Sequence, residues 1–259
     1  MQAGNPHRRR NFQRAAAPFL RFTGQKNRSC KLSSKNPLTF RKEFLTYQPV
    51  CMPIPSPEPQ LPSMPATKRK LVEAAIRLIL ARGFTATGVD AICAEAGVTK
   101  GAFFHYFKSK EDVGVAALEA WGEFGMSIYS AARAEADPLD QLHRLFDIME
   151  NLAAQPGDPL ACVVGMTAQE MAAASTALRL ASHRQFRVWV DFVGGILAEA
   201  KRVHPPRVDF DPEEVAWMLH SLWQGSMLIA KTQVDKAMIA RNLRHARTYV
   251  DGLFAGTTA

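Results

Sequence analysis

The chain changes character near residue 66. Ahead of that point neither a helical period nor an alternation persists. "NPHRRRNFQR" and "TGQKNRSCKLSSKNP" are polar and irregular, and "QPVCMPIPSPEPQLPSMP" is too rich in proline to propagate a helix. From Thr67 the apolar positions fall into helical register. "KRKLVEAAIRLILARGF" sets Leu71, Ala75, Leu78 and Ile79 on one face, and Gly83 follows Arg82 as a stop. Thr87 then predicts the cap of a short helix holding Val89, Ile92 and Ala96, with Asp90 at the reciprocal position of a capping box. Gly97 ends that helix. Thr99 caps a third helix through "KGAFFHYF", and Ser109, with Asp112 three residues on, caps a fourth.

Residues 111 to 255 read as five or six longer helices. "DPLDQLHRLFDIMENLAAQ" opens on Asp137 as cap with Pro138 at the first helical position, and Asp211, Pro212 and Glu214 repeat the device. Loops are expected at 155–158 and 204–210. The last two helices, about 212–233 and 235–254, carry two stripes. Val215, Leu219, Leu222, Ser226 and Ile229 form one; Ile239, Leu243, Ala246, Tyr249, Val250 and Leu253 form the other. These read as a dimer surface, the alternative being an ordinary core within one chain. The expected fold is all-α: a three-helix helix-turn-helix head over 67–113, then a helical-bundle body over 114–259 for effector binding and dimerisation.

Charge sharpens this division. The chain of 259 residues carries a formal net charge of +8, but residues 1 to 62 hold 11 Lys or Arg against only Glu43 and Glu58. The remainder is therefore about −1, so a nucleic-acid role for the folded part must rest on local charge. The extension over 1–66 reads as disordered, or as untranslated with Met52 or Met64 as the start. A basic DNA-binding arm and a transit peptide are the competing readings. Four Cys without metal-ligand spacing argue against a disulfide framework or a metal site. No apolar run reaches the length of a membrane span. A cytoplasmic protein without cofactors is expected.

The stretch "GVTKGAFFHYFKSKED", residues 97–112, mixes aromatic and basic residues more tightly than a buried or a solvated helix would want. Helix-turn-helix geometry needs both, because one helix braces while the next enters the major groove. Phe103 and Phe107, four apart, anchor one face. Lys100, Phe104, His105 and Tyr106 lie on other faces, toward DNA, and Lys108 and Lys110 supply charge for phosphates. A helical hairpin with an aromatic core and incidental lysines is the alternative that the residues alone leave open.

Residues 67–113 resemble the DNA-binding domain of TetR/AcrR-type regulators. The resemblance rests on Gly-Phe after the first helix, Thr before the second, Ala-Gly-Val-Thr-Lys-Gly at the turn, and an aromatic-His-Tyr-Phe-Lys-Ser-Lys exit. It implies that Thr87 and Thr99 flank the reading unit, with the Thr87 hydroxyl and amide on phosphate. It implies that Lys100, Gly101 and Ala102 start the recognition helix near the bases, with Lys100 the donor to guanine. Tyr106, Lys110 and, less directly, His105 would contact the backbone. Phe104 stands where the family usually has Tyr, so apolar contact replaces a phosphate hydrogen bond. The resemblance also implies a homodimer, built through a four-helix bundle, on a double-stranded DNA operator.

An effector pocket between body helices is expected, lined by some of Trp121, Phe124, Phe146, Cys162, Met166, Trp189, His220 and Trp223. Any one of these is more often core than ligand contact. "PLACVVGMTAQEM" resembles a TetR subgroup with a Gly-Cys-hydrophobic run and Ala-x-Glu, though Ala161 replaces the Gly. The expected function is a repressor released from a near-palindromic operator by a small lipophilic or electrophilic effector. The alternative is a redox or electrophile sensor acting through covalent modification of Cys162. An enzyme is not expected, because no triad spacing, paired carboxylates, phosphate loop or HExxH motif is present. A non-specific DNA-coating protein led by the basic extension is the remaining reading.

Overall fold

A computed structural model describes residues 64–156 and 160–254, and these are helical with no strand among them. The elements are α1 (Ala66–Arg82), α2 (Val89–Ala96), α3 (Lys100–Tyr106), α4 (Lys110–Tyr129), a 3₁₀ turn (Ser130–Ala134), α5 (Pro138–Ala154), α6 (Val163–Met171), α7 (Thr176–Val203), α8 (Pro212–Gln233) and α9 (Ala237–Phe254). The readings made for residues 1–63 lie outside the described residues. No helix among those described is long and apolar enough to cross a membrane.

Local chemistry sets most of the boundaries. The Thr99 hydroxyl accepts from the Ala102 amide at 3.2 Å, and the Ser109 hydroxyl accepts from the Asp112 amide at 3.1 Å. Asp137 accepts from Leu139 N at 2.8 Å and Asp211 from Glu213 N at 2.8 Å, each ahead of a proline that needs no partner for a missing N–H. Gly83 and Gly97 end α1 and α2 at φ of 86° and 65°, backbone conformations that favour glycine.

Thr87 corrects the sequence reading. Gly88 takes the N-cap position of α2, with no side-chain bond there. Thr87 is 1% exposed, and its hydroxyl donates to the Gly83 carbonyl at 2.7 Å. It closes the turn ahead of α2, and Asp90 forms no reciprocal cap with it.

Two apolar cores run through the described chain. The first joins Leu71, Ile79, Phe84, Ile92, Phe103, Phe107, Val113 and Leu118 to Val163, Val164, Leu178 and Ala181. The head therefore shares its core with α6 and α7, and the expected boundary at 113/114 falls inside the continuous α4. The second joins α5, α7, α8 and α9 through Leu145, Met149, Trp189, Ile196, Leu219, Trp223, Ile239, Leu243 and Val250.

That second core overturns most of the expected dimer stripes. Val215, Leu219, Ile239, Leu243, Ala246, Val250 and Leu253 are buried within the one chain. Ser226 is buried as well, donating to Leu222 O at 2.6 Å and accepting from Asn242 of α9 at 2.9 Å. Only Ile229 and Tyr249 of the two stripes are exposed, with Leu222 half-buried. Apolar periodicity located the faces correctly, but their partners are neighbouring helices of the same chain.

Candidate nucleic-acid interface and ligand site

The short α3 is pinned from beneath. Phe103 is fully buried and packs 5.7 Å from the Phe107 ring, which lies under the Lys68 ammonium at 5.7 Å. Burying a ring of this size contributes about 1.5–3 kcal/mol. The residues between these anchors project outward. Phe104 is 52% exposed, and Lys100, Gly101 and His105 are exposed beside it. Ala102 and Tyr106 are half-buried, with the Tyr106 ring 4.7 Å from that of His105. An exposed phenylalanine on a helix of seven residues is costly in water and useful against bases or methyl groups. Lys100 makes an ion pair with Asp90 of α2 at 2.8 Å, and this hydrogen bond raises its pKa.

Two residues expected at the phosphates are turned inward. Thr87 spends its hydroxyl on Gly83 O, and its amide donates to Phe84 O at 3.0 Å. Lys110 donates to Thr85 O at 3.1 Å and lies 4.4 Å over the Phe84 ring, where burial lowers its pKa. Both brace the loop that joins α1 to α2.

That loop is held by a residue that sequence reasoning passed over. Glu170 of α6 accepts from the Thr85 amide at 2.7 Å and from the Phe84 amide at 3.2 Å. A Cβ on Gly83 would stand 2.2 Å from Glu170 Oε1. A carboxylate of the body thus grips the backbone of the head. The signal was the Glu of Ala-x-Glu, but its partners lie 85 residues earlier in the chain.

The expected effector residues divide. Trp189 and His220 lie 4.7 Å apart, with Phe186 at 5.1 Å from His220 and Tyr129 at 6.5 Å from Trp189. Tyr129 and Cys162 pack against the core that holds Trp189 and Trp223, and burial pushes the Tyr129 pKa up. Cys162 takes the N-cap position of α6, half-buried. Trp121 and Phe124 form a separate pair at 5.8 Å on α4. Phe146 belongs to the second core, beneath the Arg247 guanidinium. Met166 is half-buried on α6.

Two open surface depressions lie away from the group around His220, one lined by Val190, Gly194 and Pro212, the other by Glu119, Gly122 and Gln185. The group around His220 contains buried polar atoms. Both ring nitrogens of His220 and the Trp189 indole nitrogen are buried without a hydrogen-bond partner, as are the hydroxyls of Thr167 and Ser182. Buried polar atoms are normally paired, because leaving one unmade costs about 1–3 kcal/mol. Burial alone holds the His220 pKa down, at about 4.

A helix-turn-helix with an outward aromatic-basic face, locked to an all-α body, defines the class of bacterial helix-turn-helix transcriptional regulators. The model of bacterial regulatory proteins of the tetR family matches residues 71–117, and that of the tetracyclin repressor-like C-terminal domain matches residues 138–246. The HTH-type transcriptional repressor DhaR of Mycobacterium sp. (strain GP1) is 30% identical over 172 residues, covering 65% of this chain and 84% of that protein. The transcriptional regulator AcuR of Cereibacter sphaeroides is 28% identical over 197 residues, covering 71% and 90%. The crystal structure of Escherichia coli NemR in its reduced form superposes with a TM-score of 0.65 at 26% identity, covering 74% of this chain and 99% of that one. The chain belongs to the TetR family of transcriptional regulators.

Proposed function

We propose that the protein is a homodimeric repressor that reads a near-palindromic DNA operator with α3 and is released by a small lipophilic effector. One observation carries the reading. α3 presents Lys100, Gly101, Phe104 and His105 outward from a fixed Phe103–Phe107 anchor. Thr99, Ala102 and Tyr106 complete the contact face. Lys110 and Thr87 act from behind by holding the α1–α2 loop. Residues 67–113 supply the reading head and residues 114–259 the effector and dimer functions, in the cytoplasm. Two α3 helices must reach major grooves roughly 34–36 Å apart.

The effector site is the group around His220. Its unpaired nitrogens and the Trp189 N–H are donors and acceptors waiting for a ligand, and aromatic rings surround them. The effector opens the packed group and favours a head spacing that no longer fits two grooves; it must bind that state more tightly to shift the population. α6 is the route, because it carries both Cys162 near the site and Glu170 on the head.

The test is footprinting of the purified protein on DNA upstream of its own gene, in near-physiological salt. A protected near-palindrome is expected, with Lys100→Ala and Tyr106→Ala each lowering affinity about tenfold or more. Protection that ignores both substitutions and follows only salt would sink the reading in favour of non-specific coating.

A further inference from the structure

The structure holds a carboxylate on the face that reads DNA. Asp90, in the first turn of α2, and Lys100, the first residue of α3, are ion-paired at 2.8 Å with side chains 79% and 58% exposed. A pair this exposed adds little to stability. An acid near the positive end of α2 is modestly favourable, yet that does not explain why it is joined to the one lysine at the start of α3. Beside DNA, moreover, a carboxylate is repelled by phosphates unless it finds a donor.

The major groove provides such donors at base edges, and cytosine N4–H is the usual partner of an acidic side chain. In a G·C pair, guanine O6 and cytosine N4 are hydrogen-bonded to each other at ~2.9 Å. That spacing matches the separation of Lys100 Nζ and Asp90 Oδ1. We infer that Asp90 and Lys100 form one reading unit for a single G·C pair, Lys100 donating to guanine O6 and N7 while Asp90 accepts from cytosine N4–H. An A·T pair also offers one donor and one acceptor across the pair. Its thymine, however, presents a single oxygen flanked by a methyl group, whereas guanine presents two acceptors to the N–H groups of Lys100 not engaged by Asp90. Asp90 is thus a specificity-determining residue. Its negative charge also penalises any sequence that places no base donor opposite it.

This inference rests on the operator reading above, and one experiment separates the two. Duplexes are selected from a randomised pool with the full chain, with Asp90→Ala, with Asp90→Asn and with Lys100→Ala, at near-physiological salt. Circular dichroism confirms that each variant is folded; both positions are exposed. The wild type is expected to enrich a near-palindrome with a G·C pair at one symmetric position of each half-site. Asp90→Ala should lose about tenfold preference at that position alone, and Lys100→Ala should lose it at the same position. An unchanged motif in Asp90→Ala and Asp90→Asn, with all sequences bound more tightly, would show that the carboxylate is only a charge and overturn the inference. An A·T pair there, or loss at a different position in Lys100→Ala, would overturn it equally. A wild type that enriches no sequence overturns the operator reading, and this inference falls with it.

Discussion

An imidazole buried among aromatic rings with neither nitrogen paired has to stay neutral. His220 is 6% exposed, and its pKa of about 4 lies below the value of about 6.5 in the unfolded chain. Above pH 6.5 both states are neutral there and the residue contributes no pH dependence. Between 6.5 and 4 the unfolded chain takes up a proton that the folded chain refuses, so stability falls as pH falls. The loss reaches about 2 kcal/mol at pH 5. His220→Phe removes both the titration and the unpaired nitrogens. Its stability should therefore fall less over that interval than that of the wild type, by about 2 kcal/mol at pH 5, as measured by urea unfolding at pH 7 and pH 5. Equal slopes in the two proteins would mean that His220 titrates normally and is not sealed away.

At the scale of elements, the join between α6 and the α1–α2 loop is the feature that makes head and body one unit. Glu170 satisfies two loop amides that otherwise face water, and Lys110 holds the carbonyl of Thr85 from the other side. Glu170→Ala should speed hydrogen exchange at Phe84 and Thr85 by about tenfold or more, since each lost charge-assisted bond is worth roughly 1.5–3 kcal/mol. It should also lower operator affinity while leaving α3 folded, because Phe103 and Phe107 are anchored independently. Exchange that is unchanged at those two amides would show that the loop holds itself. The caps at Thr99, Ser109, Asp137 and Asp211 were legible in the sequence because donor and acceptor sit within three residues, and the Phe103–Phe107 anchor because it spans one turn. Thr87 misled for the same reason. Thr-x-x-Asp has the local pattern of a cap, but the turn at Gly83 competes for the hydroxyl and wins. Glu170 was illegible as a clasp because its partners are remote in sequence. Of the effector residues, residue type singled out Trp189, His220 and Trp223, which do come together. The same reasoning admitted Trp121 and Phe124, which pair with each other on α4, and Phe146, which shares the second core under Arg247, since aromatic identity carries no information about which rings meet.

The proposed homodimeric operator reading requires a second copy, and the corrected burial of α8 and α9 leaves their outer faces as the candidate contact. With their inner stripes spent within one chain, the outer face of α8 still exposes Met218, Leu228 and Ile229, and α9 adds Tyr249. Gly225 and Gly252 stand on this side with nothing within 4 Å of where a Cβ would be. Glycine in a helix interior costs roughly 1 kcal/mol against alanine. On the proposed dimer, glycine at an open helical position would let a partner's helices approach closely. A side chain at 225 meets no atom of its own chain, so Gly225→Lys should leave the single chain folded and even favour α8. It places a charge in the dimer contact, and the expected result by light scattering is a monomer with unaltered helical circular dichroism. Each head then binds its half-site alone, and operator affinity should fall by about 100-fold or more because the second contact is no longer intramolecular. Gly225→Ala, small enough for close packing, should remain dimeric and bind as the wild type does. A dimer that survives lysine at 225 would place the contact on another face, and the spacing between the two α3 helices would then have to be set by that face.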